Sequence, residues 1–395
     1  MVEGAEAIDE PRISRHTYTY GNLPLVTVSL GHFRPLVILR GFADSSHCAQ
    51  RRLSYHRTYN GAVRGSKPVS ILVTGSAGHL GEALIRSFRA DGRSVIGIDR
   101  KPSPFTDRVG SICDRAFIDR CMKGASAVIH AAALHKPHVA THSWQEFIDT
   151  NVSGTLALLE AAIAIRVQSF VYVSTTSAFG SSLNRTGSAP AIWVTEELAS
   201  GPRNIYGVTK IMAENLCELA HKQHRLPVVV LRTSRFFPED DDIPDVRRRF
   251  ETANVQVNEL LYRRVDIEDA VSAVMRALER AADIGFSRYI ISATTPFTPD
   301  DLPMLGNDAE RVVLRIFPES ERLYAARDWS FFPQIDRVYV NDRARMELGW
   351  TPKYDFAYAM KCLRSDQDFR SSLAQDIGSK GYHDQSFAEG PYPVA

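Results

Sequence analysis

The stretch "ILVTGSAGHLGEAL", residues 71–84, constrains the fold more than any other part of the chain. An apolar run of strand type gives way to a helix-like one, and Gly75, Gly78 and Gly81 cross the turn in G-x-x-G-x-x-G spacing. Glycine allows the tight turn and lets backbone N–H groups approach a pyrophosphate at the positive end of a helix. Alone, such a triplet also marks ordinary turns. The next apolar run, "SVIGID", ends in Asp99, 18 residues after Gly81, where a carboxylate can accept both hydroxyls of an adenosine ribose. Asp99 by itself would serve as a helix N-cap. Turn and acid together predict a dinucleotide site. An acid at that position repels a 2′-phosphate, which favours NAD, while Arg100 beside it leaves NADP open.

Three further runs, "SAVIHAA" (126–132), "FVYVS" (170–174) and "PVVVLR" (227–232), resemble strands buried on both faces. Helix-like stretches such as "GTLALLEAAIAI" lie between them. The βαβα order predicts an α/β fold, a Rossmann-type doubly wound parallel sheet over 67–235. Beyond 235 the rhythm is lost in Pro-rich and charged segments. A smaller C-terminal α/β substrate-binding domain and a tail are expected over 236–395, with 260–295 returning to the sheet domain. Residues 1–66 read as an irregular N-terminal extension. From Pro11 to Ser66 there are eight arginines, no lysine and a single acid, Asp44, as in a transit peptide, yet Glu3, Glu6, Asp9 and Glu10 crowd the first ten positions. No chemistry is assigned there.

With 47 basic and 46 acidic residues, net charge +1, no global field draws the chain to nucleic acid or an anionic membrane. No uninterrupted apolar run reaches the roughly 18 residues of a membrane span. A soluble protein with a small-molecule partner is expected. The five cysteines (48, 113, 121, 217, 362) form no C-x-x-C pair, so neither a disulfide framework nor a zinc knuckle is indicated, and a reducing, cytoplasmic setting fits.

In "NIYGVTKIMAENLCELA", Tyr206 and Lys210 stand four apart on a helix pattern, one turn from each other on one face. A neighbouring ammonium favours phenolate and lowers the tyrosine pKa toward the range of a general base. Such pairs are also common on helix surfaces. "VSTTSAFG" (173–180) sets four hydroxyls after a strand run, which a polar turn would equally explain. "HKPH" (135–138) has metal-like spacing without a third ligand nearby, so no metal is assigned, and His135 and Lys136 are placed at the pocket mouth. "EDDDIPD" (239–245) lacks calcium-loop spacing and reads as a solvated loop.

Six motifs in order resemble the extended short-chain dehydrogenase/reductases, the group of nucleotide-sugar epimerases and dehydratases. They are "TGSAGHLG" (74–81), "VIHAAA" (128–133), "NVSGT" (151–155), "VSTTSAFG" (173–180), "YGVTK" (206–210) and "ELGWTPKYDF" (347–356). The resemblance implies NAD held by Gly75, Ala77, Gly78, His79, Leu80, Gly81, Asp99, Arg100, Ala131, Ala132, Ala133 and Ser174, with Tyr206 and Lys210. It implies a triad in which Thr175 positions a sugar hydroxyl, Tyr206 removes its proton and Lys210 lowers the phenol pKa. Dehydratases of the family carry Asp then Glu after the catalytic hydroxyl, where this chain has Thr176 and Ser177, so dehydration is disfavoured. Substrate contacts are expected from Thr175, Ser177, Arg235 and Arg264. Arg235 replaces a usual Asn, and Tyr262 stands where an arginine usually grips the nucleotide phosphates. The expected activity is NAD-dependent epimerisation of a nucleotide-sugar, by a dimer if the family habit holds. The rivals are a dehydrogenase or reductase and a non-catalytic dinucleotide sensor.

Overall fold

The computed structural model describes residues 70–383 and Phe387. The expected N-terminal extension, 1–66, lies outside the described residues. Seven parallel strands form one sheet: β1 (Ser70–Thr74), β2 (Val95–Asp99), β3 (Arg108–Val109), β4 (Ala125–His130), β5 (Ser169–Thr175), β7 (Val228–Thr233) and β8 (Phe286–Ile291), in the order β3-β2-β1-β4-β5-β7-β8. Between β5 and β7 the short β6 (Ile192–Val194) leaves the sheet and pairs in parallel with β9 (Arg337–Tyr339).

The strands are apolar on both sides because helices cover both faces of the sheet. Side chains alternate between two cores: Ile71, Val73, Val171, Val173, Val229 and Leu231 face one, while Leu72, Phe170, Tyr172, Val228 and Val230 face the other. The helix Ile267–Ile284 packs on the first face through Ala270, Val274 and Ala277 and returns the chain to the sheet as β8. A third core lies off the sheet, where Leu260, Leu305, Val312, Tyr324, Phe356 and Met360 pack with residues of the β6–β9 pair.

The expectation that no segment suffices for a membrane span needs one correction. Trp144–Ile165 is a 22-residue helical run that is long and apolar enough, by length and composition, to cross a membrane. Polar residues interrupt it, which hides it from a search for unbroken apolar runs. In the fold, Phe147, Leu158, Leu159 and Ala162 of this helix are buried.

Strand order reverses between β1 and β4, whose chain continuations leave the sheet in opposite directions. In open α/β sheets that crevice, at the carboxyl ends of the strands, is where ligands bind.

Candidate active site

The turn after β1 is closely packed. Gly75 adopts φ +77°, and a Cβ there would come 2.7 Å from the Ala132 backbone nitrogen. At Gly81 a Cβ would fall 1.9 Å from the Gly75 carbonyl oxygen, so only glycine lets the helix His79–Ala90 start so close to the turn. No side chain caps this helix at Gly78, which leaves first-turn N–H groups for a ligand. Asp99, at the end of β2, accepts from the Ala77 N–H (3.0 Å) and from the Lys101 N–H (2.9 Å). One contact on each oxygen holds the carboxylate against the turn and leaves lone pairs for ribose hydroxyls. These features fit a dinucleotide.

The wall opposite is set by a buried hydrogen-bond chain. Thr155 donates to the Asn151 carbonyl (2.6 Å), which directs His130 Nε2–H onto Thr155 (2.9 Å) and leaves Nδ1 to accept from Thr74 (2.7 Å). Burial and the charge of Lys210 hold His130 neutral, its pKa down to about 3. Thr74 in turn accepts from the Ala132 N–H (3.1 Å), fixing Ala131–Ala133 beside the glycine turn. The Asn151 side chain pairs with both backbone groups of Leu134 and donates to Thr209 (3.1 Å), one turn along from Tyr206.

A cleft of about 580 Å³ opens over these elements. Its lining includes every expected cofactor residue, as well as Thr175, Ser177, Tyr206, Lys210 and Arg235. Thr175 ends β5 and accepts from the Ser177 N–H (3.1 Å). Tyr206 and Lys210 lie on the helix Ile205–His224, one turn apart and both buried. Burial raises the Tyr206 phenol to about 12, against a hydrogen bond with Thr175 that lowers it. Burial likewise lowers Lys210 to about 7, although Glu214 pulls it up. The Lys210 ammonium donates to the Val173 carbonyl (2.6 Å) and sits 4.1 Å from the centre of the Tyr172 ring. The phenol is thus raised where the four-residue spacing predicted it lowered, because both groups are taken out of water together. The Ser174 hydroxyl donates to Glu214 (2.6 Å), itself held by Arg232 (2.7 Å) and Arg288 (3.1 Å).

Arg264 does not line the cleft. Its guanidinium is buried on Glu259 (2.8 Å) and donates to the Phe237 carbonyl (3.0 Å). Arg263 lines the cleft instead, while its Nη2 holds Glu259 at 2.7 Å. The 239–245 loop is a second correction. Glu239, Asp241 and Asp242 turn inward and pair with His79 (2.8 Å), Arg235 (2.7 Å) and Lys136 respectively, rather than facing solvent. The partners of Glu239 and Asp242 could not be assigned from sequence, because His79 and Lys136 lie on segments more than one hundred residues away. His135 and Lys136 line the cleft, and His135 lies 5.9 Å, ring to ring, from Tyr206. Sequence reasoning found no role for Lys380, Gly381 and Tyr382, which also line it. They carry no motif and lie about three hundred residues from the turn they approach.

A family model described as "NAD dependent epimerase/dehydratase family" matches residues 71–291. The chain is 29% identical over 186 residues to an uncharacterised UDP-glucose epimerase, YtcB, of Bacillus subtilis, covering 42% of this chain and 55% of that protein. It is 33% identical over 201 residues to a dTDP-glucose 4,6-dehydratase of Neisseria gonorrhoeae, covering 43% and 57%. The chain thus spans about half the length of these relatives. A short-chain dehydrogenase/reductase superfamily protein of Agrobacterium tumefaciens, solved with bound NAD, superposes with a TM-score of 0.55 at 23% identity over 75% of this chain and 97% of that one. That likeness establishes the shared fold. The family match takes in the glycine turn, β5 and the Tyr206 helix, and it extends over more than half of the chain, which therefore belongs to the NAD-dependent epimerase/dehydratase family.

Proposed function

We propose that this chain is an NAD-dependent epimerase of a nucleotide-sugar, working through transient oxidation to a keto sugar. The observation that carries the reading is the convergence of Thr175, Tyr206 and Lys210 on the same cleft as the glycine turn and Asp99. NAD would rest with its pyrophosphate at the start of the helix His79–Ala90 and an adenosine ribose on Asp99. Bound nicotinamide supplies the acceptor and later donor of a hydride.

Thr175 orients the reacting sugar hydroxyl. Tyr206 takes its proton as the carbon gives up hydride, and returns it when hydride is delivered to the other face of the ketone. Atoms and electrons balance within one turnover, so the cofactor leaves the cycle as it entered. A phenol at about 12 is a weak base on its own. The ammonium of Lys210, one turn away, supplies the charge that favours phenolate as the site fills. Thr176 and Ser177 provide no carboxylate pair to expel water from the sugar, which favours epimerisation over dehydration.

Arg235 and Arg263 support an anionic nucleotide. Both line the cleft, where their guanidinium charge favours an anionic group.

The purified protein is expected to carry NAD and, offered UDP-, GDP- and dTDP-sugars, to convert one into its epimer without lasting accumulation of reduced nicotinamide. Stoichiometric release of NADH would select a dehydrogenase. Tight NAD binding with no turnover of any sugar would select a sensor.

A further inference from the structure

The last described residues cross the cofactor cleft. After the helix Ser372–Ile377, Gly378 turns the chain at φ +58°, and Ser379–His383 run from the glycine turn to the "HKPH" segment, the two sides of the crevice between β1 and β4. One carboxylate oxygen anchors the crossing. Glu239 Oε1 accepts from the Ser379 hydroxyl (2.9 Å), the Lys380 N–H (3.1 Å) and the Gly381 N–H (3.2 Å), with His79 Nε2 at 2.8 Å. At the far side His383 Nε2 donates to the Pro137 carbonyl (2.9 Å), and the Tyr382 ring meets Phe237 edge-on at 5.7 Å. Lys380, Gly381 and Tyr382 form part of the cleft wall.

Charge gives this crossing a purpose. Glu82 lies in the first turn of the helix that would receive the pyrophosphate, and its side chain is only 6% exposed. A buried anion there opposes a second anion. Arg86 neutralises it from within the helix at 2.7 Å, and Lys380 pairs with its other oxygen from the crossing segment. The segment therefore brings both a cover and a cation to the phosphate end of the site.

We infer that Ser379–His383 form a strap that retains the dinucleotide, with Lys380 offsetting the charge of Glu82 at the phosphate end and Glu239 acting as the latch. This rests on the cleft being the NAD site. A retained cofactor suits an enzyme that must give back the hydride it takes.

The test compares NAD dissociation rates, by rapid dilution into competitor, of the full chain, a variant ending at Gly378, and the point variants Glu239→Gln and Lys380→Ala. Loss of the strap removes at least one charge-assisted contact, so the truncated protein is expected to release NAD at least about tenfold faster, with the point variants in between. Amide exchange at Lys380 and Gly381 should slow when NAD is added to the full chain. Equal release rates in the full and truncated proteins overturn the strap while leaving the cofactor reading intact. A full chain that does not bind NAD overturns both. Should the truncated variant fail to fold, unchanged release from both point variants overturns the strap alone.

Discussion

At the residue scale the proposed chemistry turns on one phenol and one amine that share a buried wall of the cleft. Tyr206 is pushed up to about 12 and Lys210 down to about 7, each mainly by burial, and each partly relieved by a neighbour, Thr175 for the first and Glu214 for the second. Lowering the phenol thus requires a charged Lys210, and the Val173 carbonyl at 2.6 Å is placed to hold that ammonium. Replacing the phenol removes the proposed proton acceptor and its hydrogen bond with Thr175, while the ring still packs with Leu134 and Phe147. Tyr206→Phe is expected to fold, to bind NAD as the unmodified protein does, and to lose about 100-fold or more in turnover. A variant that keeps more than about a tenth of the rate would remove Tyr206 as the base.

At the element scale the decisive feature is how near the helix His79–Ala90 begins to the end of β1. Two glycines with different surroundings separate crowding from backbone strain. Gly81 has ordinary helical surroundings but no room, since its Cβ would lie 1.9 Å from one backbone oxygen. Gly92, just past the same helix, has φ +67° and nothing within 4 Å of a Cβ. Gly81→Ala must move the turn. It is expected to weaken NAD binding at least about tenfold and to cost about 1–3 kcal/mol in stability, as overpacking does. Gly92→Ala carries only the left-handed penalty of roughly 1 kcal/mol and should leave NAD affinity unchanged. Calorimetric titration and denaturant midpoints of the two variants read both effects. Equal NAD affinities in the two would show that the turn is not the phosphate cradle.

At the scale of the whole molecule, the sheet and its glycine turn were legible because their signals are local. Strand runs, turn glycines and a four-residue Tyr–Lys spacing all lie within one or two elements, and Asp99 needs only the next strand. The residues that escaped depend on which way a side chain turns or on partners far along the chain, and no local pattern states either. Arg264 was expected in the cleft, yet its charge is spent on Glu259, and no pattern in "EDDDIPD" tells whether its acids face water or arginine. The Lys380 segment escaped for the same reason: its partner Glu239 is 141 residues away.

Glu259 is where these distant parts are joined. It is fully buried on the helix Thr252–Leu260, with Arg263 at 2.7 Å, Arg264 at 2.8 Å and Arg235 at 3.5 Å, and Arg235 and Arg264 also pair through their backbones. Burial alone would raise its carboxyl, but Arg263, Arg264 and Arg235 outweigh that and hold it at about 2, below the ordinary 4.5. A carboxyl whose folded pKa is depressed contributes stability that is complete above its unfolded value and is lost as pH falls through the folded one. The window here therefore runs from about 4.5 down to about 2, and the depression corresponds to roughly 3 kcal/mol. Glu259→Gln leaves three guanidiniums facing one another around a neutral amide, with Asp241 the remaining anion on Arg235. Removing one member of a buried ion group typically costs about 3–5 kcal/mol. The variant is expected to lose about that much at neutral pH and to show a flatter decline in stability between pH 4.5 and 2 than the unmodified protein, measured as denaturant midpoints across that range. Equal slopes in the two proteins would assign the acid sensitivity to other carboxylates and leave Glu259 a packing residue.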